Sequence, residues 1–106
     1  MTTPRGATNA GGSGDPIRRT VRVIDPRGLH PRLILPFTNA AKGFTSTVTV
    51  WNGDLRADGR NFIDLMLLVV FPGSEVVLEV DGPDAAIAME TLAAILAAPS
   101  GEDYSI

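Results

Sequence analysis

Two alternating runs joined by an Asn-Gly pair restrict what this chain can become more than any other stretch in it. Thr47-Val48-Thr49-Val50-Trp51 alternates polar with apolar residues, Asn52-Gly53 interrupts it, and Leu55-Arg56-Ala57-Asp58 carries the pattern back. A period of two sends successive side chains to opposite faces of a strand, and Asn-Gly tolerates the positive φ angles that a tight hairpin requires. The spacing predicts an antiparallel hairpin over residues 47–58.

Other elements follow from periodicity. Ile17 to Ile24 reads as a first strand, with Val21 and Val23 on one face and Thr20 and Arg22 on the other, ended by the turn Asp25-Pro26-Arg27-Gly28. From Pro31 to Lys42, the residues Leu33, Ile34, Phe37, Ala40 and Ala41 recur at helical spacing, with Gly43 as the stop and Pro36 expected to introduce a kink. Asn61 is placed to cap a short helix from Phe62 to Leu68 whose residues are apolar nearly all round. Ser74 to Asp81 gives a fourth strand, and Gly82-Pro83-Asp84 opens a last helix ending near Ala97, with Ile87, Ala88, Leu92 and Ile95 as its apolar stripe. The order β-α-β-β-α-β-α, with every helix needing an apolar surface, points to an α+β fold: an antiparallel sheet covered on one face.

The 106 residues, 44% of them hydrophobic, suffice for a single core. Residues 1–16 and 98–106 carry no periodic apolar pattern and are expected to be tails flanking a domain at 17–97. Cysteine is absent and histidine occurs once, which argues against disulfides, thiolate chemistry and a His- or Cys-based metal site. The longest apolar run, Leu65 to Phe71, is far shorter than a bilayer span, so a soluble cytoplasmic protein is expected. All nine basic residues fall within residues 1–60, which carry a net +5, whereas residues 61–106 carry −8. This acidic chain lacks the basic runs of a nucleic-acid binder, although a local basic patch remains available to a phosphate or an acidic partner.

That patch centres on Arg27-Gly28-Leu29-His30-Pro31-Arg32-Leu33. Proline favours the first helical position and pushes the residue before it out of helical geometry, which makes His30 the expected N-cap. A helix N-terminus offers unpaired N–H groups and a favourable dipole to an anion, and Arg32 adds a guanidinium. An imidazole is a competent nucleophile near neutral pH. The arrangement suits a histidine that accepts a phosphoryl group, with a purely structural histidine as the alternative. No nucleophilic serine or cysteine motif, paired carboxylates or phosphate-binding glycine loop accompanies it, which argues against a hydrolase.

Taken in order, these residues resemble the HPr phosphocarrier family of the bacterial phosphoenolpyruvate-dependent phosphotransferase system. The resemblance runs from about Val21 to Ala97. Gly28-Leu29-His30 and Arg32 fall in register with the signature Gly-Leu/Ile-His-Ala-Arg-Pro-Ala, and Ala40-Ala41 with Phe44, the Asn52-Gly53 turn, the apolar second helix and Pro72-Gly73 follow in sequence. The resemblance implies an open-faced β-sandwich, with a four-stranded antiparallel sheet and three helices on one face. It implies a monomeric carrier without turnover of its own or a cofactor, phosphorylated by enzyme I and discharged to enzyme IIA. By the same analogy His30 is the phosphoacceptor, Arg32 assists transfer, and Phe62, Ile63 and Met66 form the docking patch, with Arg60 extending the basic rim. Three positions depart from the pattern. Pro31 removes a backbone N–H from the phosphate cradle, leaving Arg32 and Leu33 to supply it; Leu33 replaces a proline; and Asn61 stands where many members carry a regulatory serine, so a serine-directed kinase has no hydroxyl there. The changes at 31 and 33 keep a second reading open, a regulatory adaptor that docks partners without phosphotransfer. A small-molecule-binding α+β domain is a third.

Overall fold

Seven buried residues, Val21, Val48, Val50, Ala57, Val76, Leu78 and Val80, line up across four strands to make one apolar face. The strands are β1 (Ile17–Arg22), β2 (Thr47–Asn52), β3 (Leu55–Asp58) and β4 (Glu75–Asp81) in a computed structural model that describes residues 15–99. They pair in the order β1-β4-β2-β3, every pair antiparallel. The register sets Val21 opposite Val76, Val48 opposite Val80, and Val50 opposite both Leu78 and Ala57, so that the period of two in each strand delivers its apolar residues to the same side. Leu78 and Val80 are completely buried, and each such side chain contributes about 1.5–3 kcal/mol relative to exposure.

Three helices, α1 (Pro31–Lys42), α2 (Phe62–Met66) and α3 (Ala85–Ala97), cover that face, and the other face is open. The expected α+β architecture, an open-faced sandwich of order βαββαβα, is the one observed. Of the expected tails, 1–16 and 98–106, all but residues 15, 16, 98 and 99 lie outside the described residues.

Local details differ from the sequence reading for identifiable reasons. Asn52 pairs with Leu55 as the last residue of β2, so the hairpin loop is Gly53-Asp54, one residue later than expected, with Gly53 at φ 63°. The Asn52 side chain is thereby free to donate to the Leu68 carbonyl at 2.9 Å, tying the hairpin to the end of α2. α1 continues through Pro36 as one helix from Pro31 to Lys42. In α3 the buried stripe is Ala85, Ala88, Met89, Leu92, Ala93 and Leu96, whereas Ile87 is two-thirds exposed and Ile95 only partly buried. That helix is apolar on most sides, so its periodic signal is weak; the side turned outward is the one that carries Glu90 and Thr91, both exposed.

The start of α3 is fastened to the start of β2 by one carboxylate. Asp84 accepts hydrogen bonds from the Thr45 N–H at 2.9 Å, from the Ser46 N–H at 3.0 Å and from the Ser46 hydroxyl. Gly82 makes the approach possible, since at φ 154° a Cβ there would lie 2.6 Å from the Ser46 Cα. The Ser46 hydroxyl, followed by the Thr45 N–H, holds the Asp84 carboxyl down to about 2 from its ordinary 3.8. A depressed carboxyl stabilises the fold above its unfolded pKa, and that contribution disappears as pH falls through the folded one. Asp84→Ala is expected to melt at a lower temperature than the parent at neutral pH. The gap should close between pH about 4 and about 2, as followed by circular dichroism.

Candidate functional site

The segment between β1 and α1 is held by backbone bonds that leave it little freedom. Val23 donates to the Ser74 carbonyl at 2.9 Å and accepts from Gly73 at 2.7 Å, while Leu29 donates to the Val70 carbonyl at 3.1 Å. Gly28 sits between these ties at φ 72°, and a Cβ on it would lie 2.3 Å from the Val70 carbonyl oxygen. Asp25 closes the turn from within: its carbonyl accepts from the Gly28 N–H at 2.8 Å and its Oδ1 accepts from the Arg27 N–H at 2.9 Å. The Asp25 side chain is fully buried, with the Arg27 Nε 3.7 Å from its Oδ1.

His30 is the N-cap of α1, as expected, with extended backbone at φ −125°, ψ 172° and Pro31 as the first helical residue. Its Nδ1 accepts from the Arg32 N–H at 3.3 Å, and its Nε2 lies 3.2 Å from Oδ1 of Asp25. An Nδ1 that accepts cannot also carry the proton, so these partners assign the proton of the neutral ring to Nε2, facing the carboxylate. The side chain is 14% exposed: Asp25 covers the Nε2 edge, while the Nδ1 bond lies at the surface, where the helix dipole is positive. Chemically this is a pinned imidazole presenting a lone pair at an anion-favouring helix end. The first turn is tight, with the His30 carbonyl accepting from both Leu33 and Ile34 at 2.9 Å. The Leu33 N–H expected in the phosphate cradle therefore points at that carbonyl, and the Arg32 N–H is the one directed at the ring.

Of the expected docking residues, Ile63 is 63% exposed and Met66 38%, but Phe62 is partly buried and packs on the core. Arg60 is elsewhere. Its guanidinium donates to the carbonyls of Ala41, Phe44 and Ser46, capping the C-terminal end of α1, about 16 Å along the helix from His30 at 1.5 Å per residue. A basic residue at a helix C-terminus is favoured by the dipole, and an arginine long enough to reach those carbonyls is drawn there rather than to the site.

Sequence reasoning missed three members of the apolar surface. Leu67, Val69 and Phe71 are each more than half exposed, and the backbone of Val70 between the last two is bonded to Leu29, next to His30. The signal was present in the run Leu65–Phe71, which continues past the end of the helix. Val69 also adopts φ 51°, the only non-glycine residue with positive φ among the described residues. A β-branched side chain there costs about 1–2 kcal/mol. Asp25 was likewise read only as a turn residue; an aspartate five positions before a histidine has no periodic meaning, and folding back of the turn is what joins them.

The charge asymmetry resolves across the sheet. Arg18 lies 3.5 Å from Glu79, Arg19 2.9 Å from Glu90 and Arg22 3.0 Å from Glu75, pairs that are exposed enough to add little stability. Arg19 also holds the Glu90 carboxyl below its ordinary value. Three of the basic residues of the first half are thus matched by acids of the second, and Arg27 and Arg32 lie within three residues of His30 in sequence. Among the described residues no group of three or more histidine or acidic side chains is placed to hold a metal ion.

Comparison with known proteins agrees with this geometry. Residues 17–98 match the family model described as PTS HPr component phosphorylation site. The chain is 35% identical over 86 residues to the phosphocarrier protein HPr of Neisseria meningitidis serogroup A, covering 81% of this chain and 97% of the relative. It has the same identity and coverage with the phosphocarrier protein HPr of Cupriavidus necator. Among solved structures, a phosphocarrier protein HPr from Bacillus anthracis superposes with a TM-score of 0.73 at 25% identity, covering 76% of this chain and 96% of that one.

The strain at Val69 can be measured apart from any phosphotransfer. Val69→Gly removes the left-handed penalty but gives up backbone entropy, and is expected to stabilise the protein by about 0.5–1 kcal/mol in urea denaturation.

Proposed function

The chain belongs to the HPr family, the phosphocarriers that relay a phosphoryl group on a histidine within the phosphotransferase system, and from that premise we propose that His30 is the acceptor, through Nδ1. The observation that carries the proposal is the hydrogen bond from the Arg32 N–H to Nδ1. It marks Nδ1 as the unprotonated nitrogen of the ring and puts a donor where phosphoryl oxygens would arrive. In the relay, the Nδ1 lone pair attacks phosphorus of the phosphorylated enzyme I. The bond from phosphorus to the donor group breaks, and its electron pair leaves with that group. As phosphorus approaches, the Arg32 N–H passes from the lone pair to a phosphoryl oxygen, which releases the lone pair for the attack, and the Arg32 guanidinium offsets the incoming charge. Reversal of the same steps delivers the group to an enzyme IIA.

Docking needs no ligand pocket. Ile63, Met66 and Leu67, continued by Val69 and Phe71, supply an exposed apolar surface beside the site, of the kind that partner proteins cover. Enzyme I and enzyme IIA would use it in turn, with Phe62 supporting it from the core and Arg60 serving the fold. A phosphoenolpyruvate-fed relay operates in the cytoplasm, and among the described residues no helix is long and apolar enough to cross a membrane. Residues 17–97 are the unit proposed to act, as a monomer.

Incubation with phosphoenolpyruvate and enzyme I is expected to add one acid-labile phosphoryl group by intact mass. His30→Ala should abolish the addition; its persistence in that variant would overturn the assignment. Arg32→Ala should slow transfer by about tenfold or more. Ile63→Ala should raise the KM for enzyme I severalfold and leave kcat near that of the parent, as a loss of uniform binding does.

A further inference from the structure

Resting on the reading of His30 as acceptor, we propose that Asp25 is a positioning residue for phosphoryl transfer, fixing which ring nitrogen is nucleophilic and supporting the charge that develops on the ring. A buried carboxylate is costly to keep unless it is well partnered. Asp25 is fully buried, and its Oδ1 meets the Arg27 N–H at 2.9 Å and His30 Nε2 at 3.2 Å, with the Arg27 Nε at 3.7 Å. Closing the turn would need only a neutral acceptor such as asparagine or serine, since one oxygen takes the Arg27 N–H. The charge has its use at the imidazole.

The Arg32 N–H on Nδ1 and the Asp25 carboxylate on Nε2 hold the ring from two sides. A ring flip would break both contacts, so the carboxylate keeps Nδ1 toward the helix end and the proton on Nε2. When the Nδ1–phosphorus bond forms, the ring becomes a phosphoimidazolium: no proton leaves, and the positive charge is shared with Nε2–H, against the carboxylate. On transfer to the next acceptor the Nδ1–phosphorus bond breaks, its electron pair returns to Nδ1, and the neutral Nε2–H ring is restored. The carboxylate thus acts on the ring in both directions and touches neither the phosphoryl group nor the partner protein. Its negative charge lies across the ring from the incoming group, with Arg27 beside it.

The test compares Asp25→Asn and Asp25→Ala with the parent in three measurements: imidazole ¹⁵N shifts of the unphosphorylated protein, kcat and KM for phosphorylation by phosphorylated enzyme I, and melting temperature. Asp25→Asn keeps an oxygen for Arg27 and Nε2–H but loses the charge. It is expected to retain the Nε2–H tautomer, with kcat about threefold to tenfold lower and KM within about twofold of the parent. Asp25→Ala should show a tautomer-averaged ¹⁵N pattern and a kcat about tenfold to a hundredfold lower, a range typical of losing the partner that orients a histidine. Unchanged kcat in Asp25→Asn would overturn the proposal even if the alanine variant failed to fold. So would equal losses in both variants that follow melting temperature alone, or a parental ¹⁵N pattern in Asp25→Ala. A parent that accepts no phosphoryl group would instead defeat the reading of His30, and the ¹⁵N arm would still decide whether Asp25 sets the tautomer.

Discussion

No helix can begin without leaving its first N–H groups short of partners, and here that deficit is placed beside the only imidazole of the chain. Pro31 removes one of the orphan donors, and Leu33 and Ile34 give theirs to the His30 carbonyl, so the Arg32 N–H is the donor turned to the ring at Nδ1. Everything nearby serves to hold that first turn in place. Leu29 is bonded to Val70, Val23 to both Gly73 and Ser74, and Gly28 allows the two segments to approach at a distance that no side chain could share. The carboxylate of Asp25 lies at the inner end of the arrangement, where the turn, Arg27 and the ring converge on one oxygen.

The remaining charged residues are divided between fold and surface, and the division clarifies what the site contains. Arginines of β1 face glutamates of β4 and α3. Arg60 satisfies carbonyls at the far end of α1, and Asp84 ties β2 to α3 through backbone N–H groups and a buried hydroxyl. A relay histidine needs few groups of its own, because the donor and acceptor proteins bring the rest of the chemistry. What the fold must add is a rigid helix end and a surface for partners. The exposed apolar residues from Ile63 to Phe71 are the surface proposed for them, and they include a valine in left-handed backbone.

Much of this was legible from the residues in order. Alternation found the strands, Pro31 located the start of α1, Asn61 marked the start of α2, and Gly28-Leu29-His30 with Arg32 pointed to the candidate site. What escaped was whatever depended on distance in space. Arg60 follows the hairpin and looked like part of a basic rim; only the packing of the hairpin against the end of α1 brings its guanidinium to Ala41, Phe44 and Ser46. Ile87 reads as a core residue because a helix apolar on most sides gives only a weak periodic signal of which side is inside.

By itself the sequence determined the kind and order of elements, the apolar side that each strand offers, and a histidine at a helix start, since these are set by patterns among residues a few positions apart. Tertiary structure alone decided the strand order β1-β4-β2-β3, the inward face of α3, and the approach of Asp25 to Nε2 of His30. Local preference sets φ and ψ over one or two turns of chain. Which carboxylate ends up buried against which ring is settled only when the 25–28 turn is clamped between β1 and the segment leading into β4.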